Sequence, residues 1–184
     1  MNLPPAPPSI DVLLFDLGRV VLDINFDTVM EKWAGHAGCA PADLAGRFVV
    51  NDSFRHHETG RIDDAAFFAG EMPGIAPLLA GAAQRLPLYA FSNTNPAHVA
   101  HFSKAYAGVL GHFREIFLSS SIGLRKPDAE AYDHVVKAIG VPASRILFFD
   151  DSAANIEGAR ARGLQAVHVT SMDDVARAMT ALEV

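Results

Sequence analysis

Short runs of consecutive apolar residues alternate along most of the chain with stretches whose apolar positions recur every three or four residues. That alternation predicts an α/β fold, a Rossmann-like parallel sheet with helices on both faces, because strands buried on both sides read as unbroken apolar runs. Strands are predicted over residues 11–17, 87–91, 116–119, 145–149 and 165–169, and helices over residues 96–106, 129–139, 153–162 and 172–182. Gly140 and Gly163 stand where helix C-termini call for a left-handed residue. Residues 26–70 break the rhythm, being helical in pattern without a convincing strand and holding the only tryptophan, Trp33. They predict a small α-helical insertion after the first strand, leaving residues 11–25 and 71–184 as the core. Residues 1–10 (MNLPPAPPSI) are proline-rich and uncharged, and read as a disordered tail, not a signal peptide.

Composition narrows the function classes. The 15 lysines and arginines against 21 acidic residues give a net charge of −6, with no basic stripe of the kind a nucleic acid requires. The apolar runs are far shorter than the roughly 20 residues that span a membrane. Cys39 is the only cysteine, so no disulfide can form within the chain, and a reducing, cytoplasmic setting is expected. A soluble monomer or homodimer acting on a small molecule fits these bounds.

Open parallel sheets bind ligands beyond the carboxyl ends of their strands. Asp16 follows the first predicted strand; Ser92, Asn93 and Thr94 follow the second; Lys126 and Pro127 follow the third; Asp150, Asp151 and then Asn155 follow the fourth. Singly, Ser92 reads as a turn residue, Lys126 as a solvated lysine and Asp150–Asp151 as a helix N-cap. Together they suit phosphoryl transfer. An aspartate can form a covalent aspartyl-phosphate, carboxylates hold Mg²⁺, and a hydroxyl and an ammonium can grip phosphoryl oxygens. Two adjacent carboxylates also resist joint ionisation unless a cation is near.

FDLG…V, FSNTN, RKP and FFDDSAANIEGA, in that order, resemble the four motifs of the haloacid dehalogenase-like superfamily. The resemblance implies Asp16 as nucleophile and Ser92, Asn93 and Lys126 as phosphate binders. It also implies Mg²⁺ held by Asp16, the Gly18 carbonyl and Asp151, with Asp150 in or near the shell. FDLGRVVLDIN followed by HHETGRI is similar to the subgroup containing the α-D-glucose-1-phosphate phosphatases, which implies a small phosphorylated metabolite, a sugar phosphate among them.

Two departures bear on activity. The usual phosphatase pattern carries a second aspartate two residues after the nucleophile, as proton donor to the leaving group; here that position is Gly18. General acid–base catalysis is worth about 10²–10⁴-fold, so slower turnover, or a preference for good leaving groups, is expected. The stretch from Asp16 to Ser92 is also shorter than the resemblance implies, which makes residues 26–70 a small, shortened α-helical cap. His56, His57 and Glu58 in the cap, with Arg19 and Arg55, are candidate substrate contacts beside their plainer reading as surface or packing residues. A phosphatase is the leading expectation, against a non-catalytic binding module and a 2-haloacid dehalogenase, which would need no Mg²⁺.

Overall fold

The structure, a computed structural model, describes residues 9–24, 34, 38–40 and 68–184, with only the backbone of Phe68 and Ala69. Most of the predicted cap, with Trp33, Arg55, His56, His57 and Glu58, and most of the predicted tail lie outside the described residues.

Five strands, β1 (Val12–Phe15), β4 (Leu88–Ser92), β5 (Glu115–Leu118), β6 (Ile146–Asp150) and β7 (Gln165–His168), form one sheet in the order β5-β4-β1-β6-β7. Every pairing in it is parallel. The sheet is the predicted one, each strand lying within one or two residues of its expected limits. Side chains alternate across it: Leu13 and Phe15 enter one buried cluster, Val12 and Leu14 the other. The first cluster is closed by α1 (Ile75–Ala82), α2 (Pro96–Ala105), α3 (Ala107–Leu110) and α7 (Met172–Ala181). The second is closed by α5 (Ala129–Ile139) and α6 (Ala153–Ala161). Phe15 stacks on Phe149 at 4.6 Å between centroids, locking β1 to β6 on one face. Tyr132 meets Phe91 and Phe148 edge-on on the other. Burying one such side chain contributes about 1.5–3 kcal/mol.

The helices follow the predicted punctuation. Asn95 caps α2 by accepting from the His98 N–H at 2.9 Å, with Pro96 in the first turn, where its missing donor costs nothing. Gly140 and Gly163 hold φ of 81° and 85°. One expectation is corrected. Residues 68–70, assigned to a helical cap, lie in β3 (Phe68–Glu71), which pairs antiparallel with β2 (Leu22–Ile24) in a separate two-stranded sheet. With three and four residues, these strands are too short to show a period of two. The short α4 (Ser119–Ile122), like α3, was absent from the predicted elements for the same reason of length.

The chain leaves β1 toward β4 on one side and lies against β6 on the other, so the strand order reverses at β1. The carboxyl end of β1 is therefore where a crevice opens.

Candidate active site

Lys126 occupies the centre of that crevice. It is 1% exposed, and its Nζ donates to Asp16 Oδ1 at 2.7 Å, Asp150 Oδ2 at 2.7 Å and the Phe91 carbonyl at 2.8 Å. An ammonium has three donors, and all three are satisfied. The Phe91 and Phe148 rings flank the same nitrogen at 5.2 and 5.3 Å. Burial alone would lower the Lys126 pKa; the charges of Asp16 and Asp150 and the hydrogen bonds to both outweigh it and hold it above the usual lysine range.

The turn that delivers Lys126 is itself held. Asn93 donates from Nδ2 to the Lys126 carbonyl and accepts at Oδ1 from the Lys126 N–H, both at 2.9 Å. The Asn93 side chain thus clamps the lysine's backbone, a role the sequence reading missed when it placed Asn93 only beside the phosphate. Ser119 adds a second tie: its Oγ accepts from the Thr94 N–H at 2.9 Å and donates to the Thr94 carbonyl at 3.1 Å. Gly158 of α6 faces the same turn. A Cβ there would lie 2.9 Å from the Pro127 carbonyl and 2.9 Å from Tyr132 Cε2, so glycine lets the helix approach. A lone glycine inside a predicted helix was the available signal. Ser92, buried, is the last residue of β4 at this same edge.

Asp150 closes β6 with no exposed surface. Its Oδ1 accepts from the Ser152 N–H at 2.8 Å and Asn155 Nδ2 at 3.0 Å, and its Oδ2 from Lys126 Nζ and Asn155 Nδ2. Both oxygens are engaged by the protein. Asp151 reaches outward instead. Its carboxylate is 3.4 Å from an Arg19 guanidinium nitrogen, and its carbonyl accepts from His168 Nε2 at 3.0 Å.

Asp16, Asp150 and Asp151 each place a carboxylate oxygen within 4.8 Å of the others. Three carboxylates face the buried Lys126 ammonium and the more exposed Arg19 guanidinium, so negative charge is in excess by one. Burial pushes the Asp16 carboxyl up to about 7, with Lys126 opposing and Asp150 and Asp151 adding to the rise. Burial and the Asp150 charge likewise raise Asp151, against Arg19 and Lys126. Hard oxygen donors, close together and in excess of the positive charge beside them, fit a divalent cation such as Mg²⁺. Asp16 and Asp151 have oxygens to offer it; Asp150, already saturated, fits better as the group that orients Lys126.

Between Asp16 and β2 the chain makes a tight turn. The Val21 and Leu22 N–H groups both donate to the Leu17 carbonyl, at 2.9 and 2.8 Å, and the Arg19 N–H donates to the Leu22 carbonyl at 2.7 Å. Leu17, Val20, Val21 and Leu22 are buried and anchor it. Gly18, whose carbonyl the sequence reading placed on the metal, sits in this turn, bridged to Leu22.

Asp16, Gly18, Ser92, Asn93, Lys126, Asp150 and Asp151, the residues to which the resemblance assigns roles, lie at one edge of the sheet or in the turn beside it, whereas the candidate contacts Arg55, His56, His57 and Glu58 lie outside the described residues. Residues 10–163 match the family model described as haloacid dehalogenase-like hydrolase. The chain is 38% identical over 104 residues to an enolase-phosphatase E1 from Stenotrophomonas maltophilia, covering 55% of this chain and 45% of that one. It is 35% identical over 130 residues to Phosphatase MT3486 from Mycobacterium tuberculosis, covering 68% of this chain and 59% of that one. The chain thus spans about half the length of these curated relatives. Among solved structures, a HAD family enzyme from Bacteroides thetaiotaomicron in complex with magnesium and inorganic phosphate superposes with a TM-score of 0.69 at 23% identity. The superposition covers 86% of this chain and 93% of the other, a likeness of fold. Among the described residues no helix is long and apolar enough to cross a membrane.

Proposed function

The chain belongs to the haloacid dehalogenase-like hydrolase family, and we propose that it is a magnesium-dependent phosphatase acting on a small phosphate monoester through an aspartyl-phosphate on Asp16. The observation that carries this reading is the Lys126 ammonium fixed between Asp16 and Asp150, with Asp151 completing a carboxylate cluster at the sheet's carboxyl edge. The phosphatase names of two relatives support it.

In the proposed reaction an Asp16 carboxylate oxygen attacks phosphorus as the ester P–O bond breaks, and the departing alkoxide takes a proton from water. Water then attacks the phosphorus of the aspartyl-phosphate and gives up a proton to the hydroxide left when the alkoxide was protonated. The bond to Asp16 breaks, and phosphate leaves with the carboxylate restored. When bound, Mg²⁺ supplies charge that draws together the anionic phosphoryl group and the carboxylates. The Asp16 oxygen loses its charge on phosphorylation, which frees one Lys126 N–H for a phosphoryl oxygen. The Ser92 hydroxyl and the Asn93 backbone N–H take others. Asn93 and Asp150 keep Lys126 in place while its third partner changes.

Hydrolysis of p-nitrophenyl phosphate with and without EDTA, run beside 2-chloropropionate, tests the proposal. Phosphate release that EDTA abolishes supports it. Chloride release that survives EDTA makes the protein a dehalogenase, and no turnover of either makes it a binding module.

A further inference from the structure

The pairing of β4 with β5 ends at Ser92 and Leu118. One residue further on, a side-chain hydroxyl takes the place of the partner backbone. Ser119 Oγ accepts from the Thr94 N–H at 2.9 Å and donates to the Thr94 carbonyl at 3.1 Å. These two groups belong to the peptides on either side of Thr94, so one hydroxyl, using its donor and an acceptor site, fixes both planes. Ser119 is itself held at the start of α4, where its carbonyl accepts from the Gly123 N–H at 2.9 Å.

Other ties on the β4 turn join one part of the site to another. Lys126 Nζ donates to the Phe91 carbonyl, and the Asn93 side chain grips the Lys126 backbone. Those contacts bind the β4 turn to the lysine turn, and the two could shift as one. Asn95 caps α2, the helix into which the turn leads. Ser119 instead ties the turn to the end of β5.

Asn93 thus lies between two fixed neighbours, Ser92 in the ladder and Thr94 on Ser119, which sets the direction of its own N–H. That N–H is the one the proposed reaction gives to a phosphoryl oxygen, whereas the Thr94 N–H is already occupied. A donor aimed in advance at developing charge needs no reorganisation as the reaction proceeds. Thr94 and Ser119 are both half-buried, so water can replace the hydroxyl and the net gain in stability from the tie is small.

We infer that Ser119 is a positioning residue for the reaction, acting through the Thr94 backbone to aim the Asn93 N–H at the phosphoryl group in the transition state. The inference rests on the phosphatase reading above.

The test compares Ser119→Ala and Ser119→Thr with the wild type, all in saturating Mg²⁺. With p-nitrophenyl phosphate, Ser119→Ala is expected to lower kcat about tenfold or more while KM stays within about twofold. It should also weaken inhibition by orthovanadate, a mimic of the phosphoryl group in transfer, about tenfold more than inhibition by inorganic phosphate. Tm should change little, and Ser119→Thr, which keeps the hydroxyl, should restore kcat. An unchanged kcat in Ser119→Ala, a loss carried by KM, an alanine variant that does not fold, or threonine no better than alanine overturns the inference. Amide NMR reads the turn without turnover: inorganic phosphate should shift the Asn93 N–H signal and spare that of Thr94, and in Ser119→Ala the Thr94 amide should respond as well. This pattern in a protein that hydrolyses no ester supports the positioning by Ser119 while the phosphatase reading falls. Hydrolysis with Asn93 and Thr94 amides that respond alike in wild type and variant overturns the inference alone, and no turnover with no shift overturns both.

Discussion

Ile24 fills the space into which a side chain on Gly18 would project. A Cβ built on Gly18 would lie 2.6 Å from Ile24 Cδ1, and 3.9 Å from Asp16 Oδ2. The strand that follows the turn therefore closes, with a methyl group, the position where the usual pattern puts its proton donor. The left-handed residue of this turn is Arg19, one position later. A carboxylate at Gly18 would thus meet no left-handed backbone, only the movable tip of the Ile24 side chain.

Lys126→Met should cost about 3–5 kcal/mol of stability, because it strands two buried carboxylates beside an apolar chain. Urea denaturation would measure this. Lys126→Arg should recover little, since a planar guanidinium cannot direct three donors from one nitrogen to Asp16, Asp150 and the Phe91 carbonyl. Loss of less than about 1 kcal/mol in the methionine variant would mean that the charge at Lys126 does not balance the cluster.

Asp16→Asn should abolish turnover and yet leave the metal-free fold at least as stable. The amide has no nucleophilic carboxylate, but its oxygen can still accept from Lys126, and one of three crowded negative charges is gone. Burial already disfavours the ionised Asp16 side chain, which carries the same sign. A thermal melt in EDTA at pH 8 and a phosphate-release assay check the two halves. A residual rate above about a tenth of wild type would rule out the covalent route.

How far the chain was legible in advance depends on length and on neighbours. The central strands and the long helices could be read because VLLF and ILFF are buried on both faces and α5 and α7 carry strong apolar stripes. β2 and β3 escaped because three or four residues cannot display a period. The site's charged residues were legible because each follows a readable strand. Asn93's grip on the Lys126 backbone was not, because it joins segments 33 positions apart, and Ile24's place over Gly18 was not, because it depends on the tight turn between them. The same holds for Arg19 and Asp151, paired across 132 positions with no local signal.

Asp151→Ala should raise the Mg²⁺ concentration for half-maximal activity by about tenfold or more, with a smaller change in substrate KM. Asp151 is the cluster's outward-facing carboxylate, whereas Asp150 is saturated by Lys126, Asn155 and the Ser152 N–H. Mg²⁺ titrations at saturating substrate give the first quantity. An unchanged Mg²⁺ requirement would remove Asp151 from the metal's ligands.

The start of α7 gives a pH signature away from the site. Asp174 accepts from the backbone N–H groups of Thr170 and Ser171 and from the Thr170 hydroxyl, and pairs with Arg177. These hydrogen bonds hold its carboxyl down at about 2, from 3.8. A depressed folded value means that the carboxylate stabilises the fold fully above pH 3.8 and ceases to do so as pH falls through 2. Asp174→Ala should therefore lower Tm at pH 7 and lose its effect toward pH 2. A destabilisation that is constant from pH 7 to pH 2 would show that lost packing, not the charged cap, is responsible.

The pairing of Gly18 with Ile24 sets the last expectation. Gly18→Asp alone should fold nearly as well as the wild type and gain only part of the activity, because its Cβ meets Ile24 Cδ1, the tip of a flexible side chain that must turn aside. Gly18→Asp combined with Ile24→Ala removes the obstructing methyl and lets the new carboxyl stand beside Asp16. In a loose transition state charge builds on the departing oxygen, so a proton donor helps most when that oxygen is basic. The double variant should thus raise kcat/KM for an ordinary alkyl phosphate by about tenfold or more while changing p-nitrophenyl phosphate little, since nitrophenolate leaves without help. Ile24→Ala alone controls for the cavity, and a burst-phase assay shows whether hydrolysis of the aspartyl-phosphate limits the rate. A folded double variant with no gain on the alkyl phosphate, and no burst, would mean that another group already supplies the proton.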